Sequence, residues 1–174
     1  MKIIKTKLSG VSIIELDVFN DERGFFVERF HQEKFQKLGL PTKFVQDNHS
    51  KSNPGVLRGL HYQINPAQGK LVGCINGTIQ DIALDIRKNS PTFGQYVSVI
   101  LSGDNGKLLW IPQGFAHGFC VIGNKPADVT YKVDNLYNSS GDKGIIWNDP
   151  QFNIDWQIKN PNLSEKDKSL PRYY

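Results

Sequence analysis

The chain has 174 residues, of which 39% are hydrophobic and 22% are charged, and its formal net charge is +4 at pH 7. This length and composition are typical of one globular domain, which we place over residues 1–174. The positive charge is not gathered into one stripe with interleaved aromatic residues: Lys2, Lys5 and Lys7 are N-terminal, whereas Lys159, Lys166 and Lys168 are near the end. That distribution argues against a nucleic-acid-binding protein. A modest positive balance favours a small substrate that carries phosphate groups.

The sequence also predicts a location. No apolar run approaches the roughly 18 residues that a membrane helix needs. Lys5 and Lys7 interrupt the apolar start of the chain, which is not typical of a secretory signal. Cys74 and Cys120 lie inside apolar, strand-like runs, and we expect both to be reduced and buried. We therefore expect a cytoplasmic protein with no membrane partner.

Short strand-like runs recur along the chain between turn signals, which predicts an all-β sandwich or barrel. Only His31–Leu38 has the pattern of a helix of any length, and Ser164 could begin a second short helix. The predicted strands are Val11–Phe19, Gly24–Phe30, Lys43–Ser50, Gly55–Gln63, Lys70–Ile75, Thr78–Arg87, Tyr96–Leu101, Lys107–Ile111, Gly118–Ile122 and Asp128–Val133.

Two connecting features complete the expected architecture. Asn76-Gly77 stands between two apolar runs, a strong signal for a two-residue β-hairpin. After Pro150 the chain becomes polar, with further prolines at Pro161 and Pro171. We expect a barrel core over about residues 11–150 and a C-terminal segment, residues 151–174, that wraps its surface.

Four side chains that could take part in catalysis or binding lie in or beside these strands. Gly55–Gln63 presents the imidazole of His61 close to the guanidinium of Arg58. Lys70 adds an ammonium group, and His117 adds a second imidazole. A base, two cations and a spare histidine in strand-like surroundings indicate proton transfer on an anionic substrate.

The spacing from Gly106 to His117, with Pro112 and Gly114 between them, resembles the second motif of the cupin superfamily. The resemblance implies a cupin-type jelly-roll β-barrel with a few short peripheral helices. Metal-binding cupins carry His-x-His and a glutamate in their first motif, whereas this chain has His61-Tyr62-Gln63 and no glutamate before Gly77. Two histidines alone make a poor site for a transition metal. We therefore expect no metal and no cofactor, and His61 is free to act as a base.

A closer resemblance emerges from eight motifs that follow one another in order, from about the second strand to Asp167. Together they are similar to the dTDP-4-dehydrorhamnose 3,5-epimerase family. The motifs are Asp21–Phe26, Gln46–Ser50, Gly55–Gln63, Gln68–Val72, Ser90–Gly94, Gly106–His117, Tyr131-Lys132 and Trp147–Pro150.

The resemblance implies a reaction and four catalytic residues. The family inverts C3 and C5 of dTDP-4-dehydro-6-deoxy-D-glucose beside the C4 ketone, giving dTDP-4-dehydro-L-rhamnose for deoxysugar synthesis. By resemblance, His61 is the base and Asp167 orients it. Lys70 stabilises the C4 oxyanion, and Tyr131 returns a proton on the opposite face. An imidazole that titrates near pH ~6.5 suits a general base.

Each of three assignments has a structural alternative. Ser164–Asp167 fits the start of a helix, with Asp167 as an acid in its first turn. Lys70 could be a surface lysine at the start of a strand. Tyr131 could be an ordinary strand aromatic, because tyrosine favours strands.

The resemblance also implies a substrate-binding set and a homodimer. Arg23, Arg58 and His117 are the expected anchors of the substrate, and Phe25, Phe26 and Tyr137 are candidates to stack on thymine. In this family the early strands are exchanged with a second subunit, so Arg23 and Glu28 would serve the neighbouring site. The other expected contacts to the nucleotide and sugar are Glu28, Gln46, Asp47, Asn48, Asp142 and Lys166.

The sequence departs from the family pattern at two places. Asp142 stands where the family has a glutamate, one methylene longer. Asn124-Lys125-Pro126 is about one residue longer than usual and fits a turn. Neither departure touches the base, the cation or the tyrosine.

Three other functions remain open at the level of the sequence. A mono-epimerase that acts at C3 or C5 alone would need the same residue types. A metal-dependent cupin oxygenase would bind a metal in an assay. A non-catalytic barrel that binds sugar nucleotides would have no need of His61, Lys70 and Tyr131 together.

Overall fold

The computed structural model describes residues 1–173, which form thirteen β-strands and two short helices. The strands are β1 (Lys2–Lys5), β2 (Ser12–Glu15), β3 (Val18–Asp21), β4 (Gly24–Val27), β5 (Gln46–Ser52), β6 (Leu57–Gln63), β7 (Lys70–Asn76), β8 (Thr78–Asp85), β9 (Tyr96–Ser102), β10 (Lys107–Ile111), β11 (Phe115–Val121), β12 (Ala127–Val133) and β13 (Asp142–Gly144). The helices are α1 (Gln32–Lys37) and α2 (Glu165–Lys168).

The strands form two main antiparallel sheets that face each other as a jelly-roll barrel, as the sequence predicts. One sheet has six strands in the order β1-β2-β10-β7-β12-β5, and the other has five in the order β13-β6-β11-β8-β9. A separate two-stranded ribbon pairs β3 with β4, and we call it the β3–β4 ribbon.

The barrel interior is filled by side chains that alternate along each strand. On β7, Val72 and Cys74 point inward, whereas Leu71 packs on the outer face of the six-stranded sheet. The same period of two places Ile79 and Ala83 of β8 inside the barrel. This alternation decides which polar side chains can reach the barrel mouth.

The outer face of each sheet has a cover of its own. Phe35 of α1 and Leu40 close the six-stranded sheet. Phe152 and Trp156 of the C-terminal segment cover the five-stranded sheet. This segment is not merely a surface strap, because both aromatic side chains are at least nine-tenths buried.

The predicted Asn76-Gly77 hairpin is wrong. β7 belongs to the six-stranded sheet and β8 to the five-stranded sheet, so the two strands face each other and do not pair. Gly77 has φ +74°, and a Cβ there would lie 2.3 Å from the Pro126 carbonyl oxygen. The glycine is needed for a sharp corner at which the chain passes from one sheet to the other.

The other predicted strands and helices are present, but some of their boundaries differ from the prediction. The predicted strand Val11–Phe19 is two strands, because β2 pairs with β1 and β10 whereas β3 pairs with β4 in a separate ribbon. The short strands β1 and β13 were not predicted. Both predicted helices are confirmed, and Ser164 is the N-cap of α2.

Both thiols are free and buried, as predicted, and burial raises the pKa of Cys74 and of Cys120 to about 11. Within residues 1–173, neither helix has the length or the apolar character to cross a membrane.

Candidate active site

A polar cavity of about 230 Å³ opens at the mouth of the barrel, between the two sheets. It collects many of the side chains that the sequence singles out. The lining residues are Gln46, Asn48, His61, Tyr62, Gln63, Gln68, Lys70, Tyr131, Tyr137, Asp142 and Lys166.

A β-bulge in β6 brings His61 to this cavity. His61 pairs with His117 of β11, whereas Arg58 pairs with Phe119, so β6 gains one residue relative to its neighbour. Gly59 lies in the bulge with φ +113°, and a Cβ there would lie 2.7 Å from the Cα of Gly118. Bulges of this kind re-aim side chains beside functional sites. Here the extra residue lets Arg58 and His61, three positions apart, both turn toward the barrel mouth.

His61 forms a close pair with Asp167 of α2. The ring Nε2 lies 2.6 Å from Asp167 Oδ1, and the Asp167 side chain is only 5% exposed. Ser164 donates to the other carboxylate oxygen, at 2.9 Å. Burial alone would raise the pKa of Asp167, but the contacts with His61 and Ser164 hold it below its ordinary value. The carboxylate is therefore charged at neutral pH and fixes the orientation of the imidazole. Asp167 also serves the helix start, because its amide donates to Ser164 Oγ.

Lys70 and Tyr131 face His61 from the opposite sheet. Lys70 begins β7 and Tyr131 lies on the neighbouring β12. Burial lowers the pKa of Lys70 to about 8, against the opposing effect of the Asp142 and Asp81 carboxylates. Burial raises the pKa of Tyr131, and the nearby Arg58 charge limits that rise. The phenol is thus protonated at neutral pH.

Asp142 organises the rim of the cavity. Its Oδ2 accepts a hydrogen bond from the Tyr137 hydroxyl at 3.2 Å and another from Lys166 Nζ. The hydrogen bond to Asp142 raises the pKa of Lys166. Asp142, which replaces the longer glutamate of the family, therefore links Tyr137 and Lys166, two other residues predicted to bind substrate.

The three predicted substrate contacts on β5 lie on two opposite faces of the strand. Gln46 and Asn48 line the cavity and are joined by a hydrogen bond of 2.9 Å. Asp47 lies on the opposite face and pairs with Lys132 at 2.6 Å. Adjacent residues of a strand point to opposite faces, so Asp47 does not line this cavity, and its contact with substrate stays a prediction.

Arg58 and His117 flank the cavity without lining it. Arg58 Nε donates to Ser52 Oγ at 2.9 Å, which holds the guanidinium near the barrel mouth. The His117 side chain is only 9% exposed, and its Nε2 lies 2.6 Å from Asp81 Oδ1. Their direct contact with substrate stays a prediction.

The β3–β4 ribbon carries four predicted binding residues away from this cavity. Arg23 pairs with Asp21 on the ribbon itself, and Glu28 pairs with Lys34 at 2.7 Å. Phe25 and Phe26 are 61% and 67% exposed. Within one chain, none of the four reaches the His61 cavity.

Sequence reasoning missed three lining residues and one buried carboxylate. Gln63 was noted only as the residue that replaces a metal ligand, although its spacing of two from His61 places it on the same strand face. Tyr62 and Gln68 gave no separate signal. Asp81 is fully buried beneath His117, and an acidic residue inside an apolar run was the available clue.

Comparisons with known proteins show which family this chain is similar to. The sequence model of the family described as dTDP-4-dehydrorhamnose 3,5-epimerase matches residues 5–174. The dTDP-4-dehydrorhamnose 3,5-epimerase of Shigella flexneri is 55% identical over 169 residues, covering 96% of this chain and 93% of that protein.

Two solved structures are similar over almost the whole chain. The dTDP-6-deoxy-D-glucose-3,5-epimerase of Legionella pneumophila, in complex with dTDP-4-keto-L-rhamnose, is 46% identical with a TM-score of 0.93, covering 99% of this chain and 98% of that one. The dTDP-4-dehydrorhamnose 3,5-epimerase of Bacillus anthracis, with TDP and PPi bound, is 44% identical with a TM-score of 0.95, covering 99% of both chains.

Proposed function

Because the chain belongs to the dTDP-4-dehydrorhamnose 3,5-epimerase family, we propose that its cavity inverts C3 and C5 of dTDP-4-dehydro-6-deoxy-D-glucose. The product is dTDP-4-dehydro-L-rhamnose, so the chain is an isomerase acting in deoxysugar synthesis. The observation that carries the mechanism is the placement of His61 and Tyr131 on opposite sheets across one cavity. Inversion beside a ketone needs a base on one face of the sugar and an acid on the other.

His61 takes the proton. Its Nε2–H is donated to Asp167, which leaves the Nδ1 lone pair to remove a proton from the carbon beside the ketone. The buried carboxylate then stabilises the imidazolium that forms. Both effects lower the barrier to proton removal without a cofactor.

Lys70 stabilises the enolate. When the proton leaves, negative charge collects on the C4 oxygen, and an ammonium group already fixed inside the barrel requires little reorganisation to meet it. With its pKa near 8, Lys70 carries its charge in most molecules at neutral pH.

Tyr131 returns a proton from the opposite sheet. Its raised pKa keeps the hydroxyl protonated until the enolate forms. Reprotonation on the face opposite His61 inverts the carbon. His61 then releases its proton to solvent and Tyr131 takes one up from solvent, so that a second cycle, after a turn of the sugar ring, inverts the other centre.

The β3–β4 ribbon supports a homodimer with exchanged N-terminal strands. Within residues 1–173 it pairs with no other strand, and it leaves Phe19 62% exposed beside Phe25 and Phe26. Two-stranded ribbons are marginal alone, and such an apolar surface needs a cover. A second copy would cover it and receive Arg23 and Glu28 at its own cavity. We further infer a cytoplasmic location, which fits the free thiols of Cys74 and Cys120.

The test is incubation with dTDP-4-dehydro-6-deoxy-D-glucose in D₂O, with deuterium read at C3 and C5 by NMR. We expect label at both carbons, and His61→Ala should lose about 10²–10⁴-fold in rate because the general base is gone. The folded state of the variant is checked by circular dichroism.

Other outcomes separate the alternatives. Label at one carbon only would identify a mono-epimerase, and label that survives in His61→Ala would assign the base to another residue. No label at either carbon would overturn the proposed reaction while leaving the fold unchanged.

A further inference from the structure

Gln63 is a buried polar residue with every hydrogen-bonding atom of its amide engaged. Its side chain lies at the end of β6 and the residue is only 6% exposed. Nε2 donates to the carbonyl oxygens of Pro66, at 2.9 Å, and Leu136, at 3.0 Å. Oε1 accepts the amide of Asn138 at 2.9 Å. The amide therefore ties two irregular connections to the barrel wall.

The connection that matters here is the 136–138 segment, Leu136 to Asn138, which follows β12 and carries Tyr137 to the cavity. Leu136 and Tyr137 are 62% and 58% exposed, so side-chain packing does not fix the segment. Each of its residues is instead bonded through its backbone to a glutamine. Gln63 holds Leu136 and Asn138, and Gln46 accepts the Tyr137 amide at 3.0 Å.

We propose that Gln63 is a positioning residue, which holds Tyr137 at the rim of the cavity through the backbone of the 136–138 segment. A buried amide is costly unless its hydrogen bonds are made, and here all of them are made to loop backbone. The position that resembles a metal-ligand site of other cupins thus fastens a substrate-binding loop. This inference rests on the proposed function only in assigning Tyr137 to nucleotide binding.

The chain offers a matched control in Gln80. This residue is 2% exposed, and its Nε2 donates to the Asp155 carbonyl and the Ser98 hydroxyl. Its Oε1 accepts the amide of Gln157 at 2.7 Å. Gln80 therefore pins an irregular segment to a barrel strand in the same manner, but on the outer side of the five-stranded sheet, away from the cavity.

The experiment compares Gln63→Met with Gln80→Met, because methionine keeps the length of glutamine and removes the amide. Hydrogen exchange by NMR should show the Asn138 amide exchanging at least tenfold faster in Gln63→Met, with a smaller change at Tyr137. In Gln80→Met the acceleration should fall on Gln157 and leave Asn138 unchanged.

The functional readout should separate the two variants as well. Losing the position of Tyr137 removes binding that is equal in ground and transition states, so Gln63→Met should raise KM about tenfold at nearly constant kcat. Calorimetry with dTDP as the probe should show an affinity weaker by a similar factor. Gln80→Met should lower the melting temperature without either change.

Several outcomes would overturn the inference. One is slow Asn138 exchange in Gln63→Met, and another is a KM equal to that of Gln80→Met. If Gln63→Met does not fold, the unmodified protein provides the test. An Asn138 amide that exchanges there as fast as in an unstructured loop would also overturn the inference. A failure of dTDP to bind the unmodified protein would instead overturn the proposed function. The hydrogen-exchange measurement needs no ligand, so it would still test the role of Gln63.

Discussion

Lys70 lies inside the barrel, and the proposed reaction needs its positive charge. Burial lowers its pKa to about 8, whereas a free lysine titrates near ~10.4. The ammonium is present below that pH and is lost as the pH rises through it. We therefore expect kcat/KM to fall about tenfold per unit above pH ~8, measured from about pH 6 to about pH 10.

Lys70→Arg is the control for this profile, because a guanidinium stays charged to above pH ~12. The variant should be slower at neutral pH but should lack the decline near pH ~8. Tyr131 is not expected to cause the decline, since burial raises its pKa. An unchanged decline in Lys70→Arg would show that another group titrates there.

At the scale of elements, a buried carboxylate fastens the end of β8 to the loop before β9. Asp85 is fully buried and accepts hydrogen bonds from Arg87 Nε at 2.9 Å and from the hydroxyls of Ser90 and Thr92 at 2.6 Å. Burial alone would raise the pKa of Asp85, but these donors hold it well below its ordinary value. The Ser90–Gly94 motif thus has a structural role in this loop.

Replacing Asp85 should therefore weaken the fold in a pH-dependent way. A depressed carboxyl pKa contributes stability that is complete above the unfolded-state pKa, near ~4, and is lost as the pH falls below it. Asp85→Asn should lower the free energy of unfolding by about 2–3 kcal/mol at pH 7, measured in urea. The difference from the unmodified protein should shrink as the pH falls below ~4.

Asp104→Asn removes the same charge from an exposed turn and should change the free energy of unfolding by less than about 0.5 kcal/mol. An equal loss in the two variants would mean that the Asp85 hydrogen bonds add nothing beyond charge.

Local patterns predicted most strands because burial alternates along them, but they could not assign strands to sheets. Asn76-Gly77 has the composition of a hairpin, yet only the assignment of β7 and β8 to different sheets shows that Gly77 turns a corner. The bulge at Gly59 likewise depends on its register with β11. The alternation that places Asp47 and Gln46 on opposite faces of β5 follows from the strand pattern alone.

At the scale of the whole molecule, the cavity depends on distant parts of the chain. Asp167 and His61 are 106 positions apart, and no local pattern pairs them. The resemblance alone suggested the contact, and the C-terminal segment forms it by packing Phe152 and Trp156 against the five-stranded sheet. The proposed catalytic pair therefore depends on how the C-terminal segment packs on the barrel.

The β3–β4 ribbon leads to a test of subunit exchange. If Arg23 serves the cavity of a second copy, a dimer of one Arg23→Ala chain and one His61→Ala chain has one intact site. Random mixing of two such inactive proteins by joint refolding should then restore about a quarter of the full activity. His61→Ala mixed with Lys70→Ala is the control, because both residues line one chain's own cavity and no intact site can form. If the first mixture is no more active than the two variant proteins measured separately, Arg23 serves the cavity of its own chain or does not belong to the site.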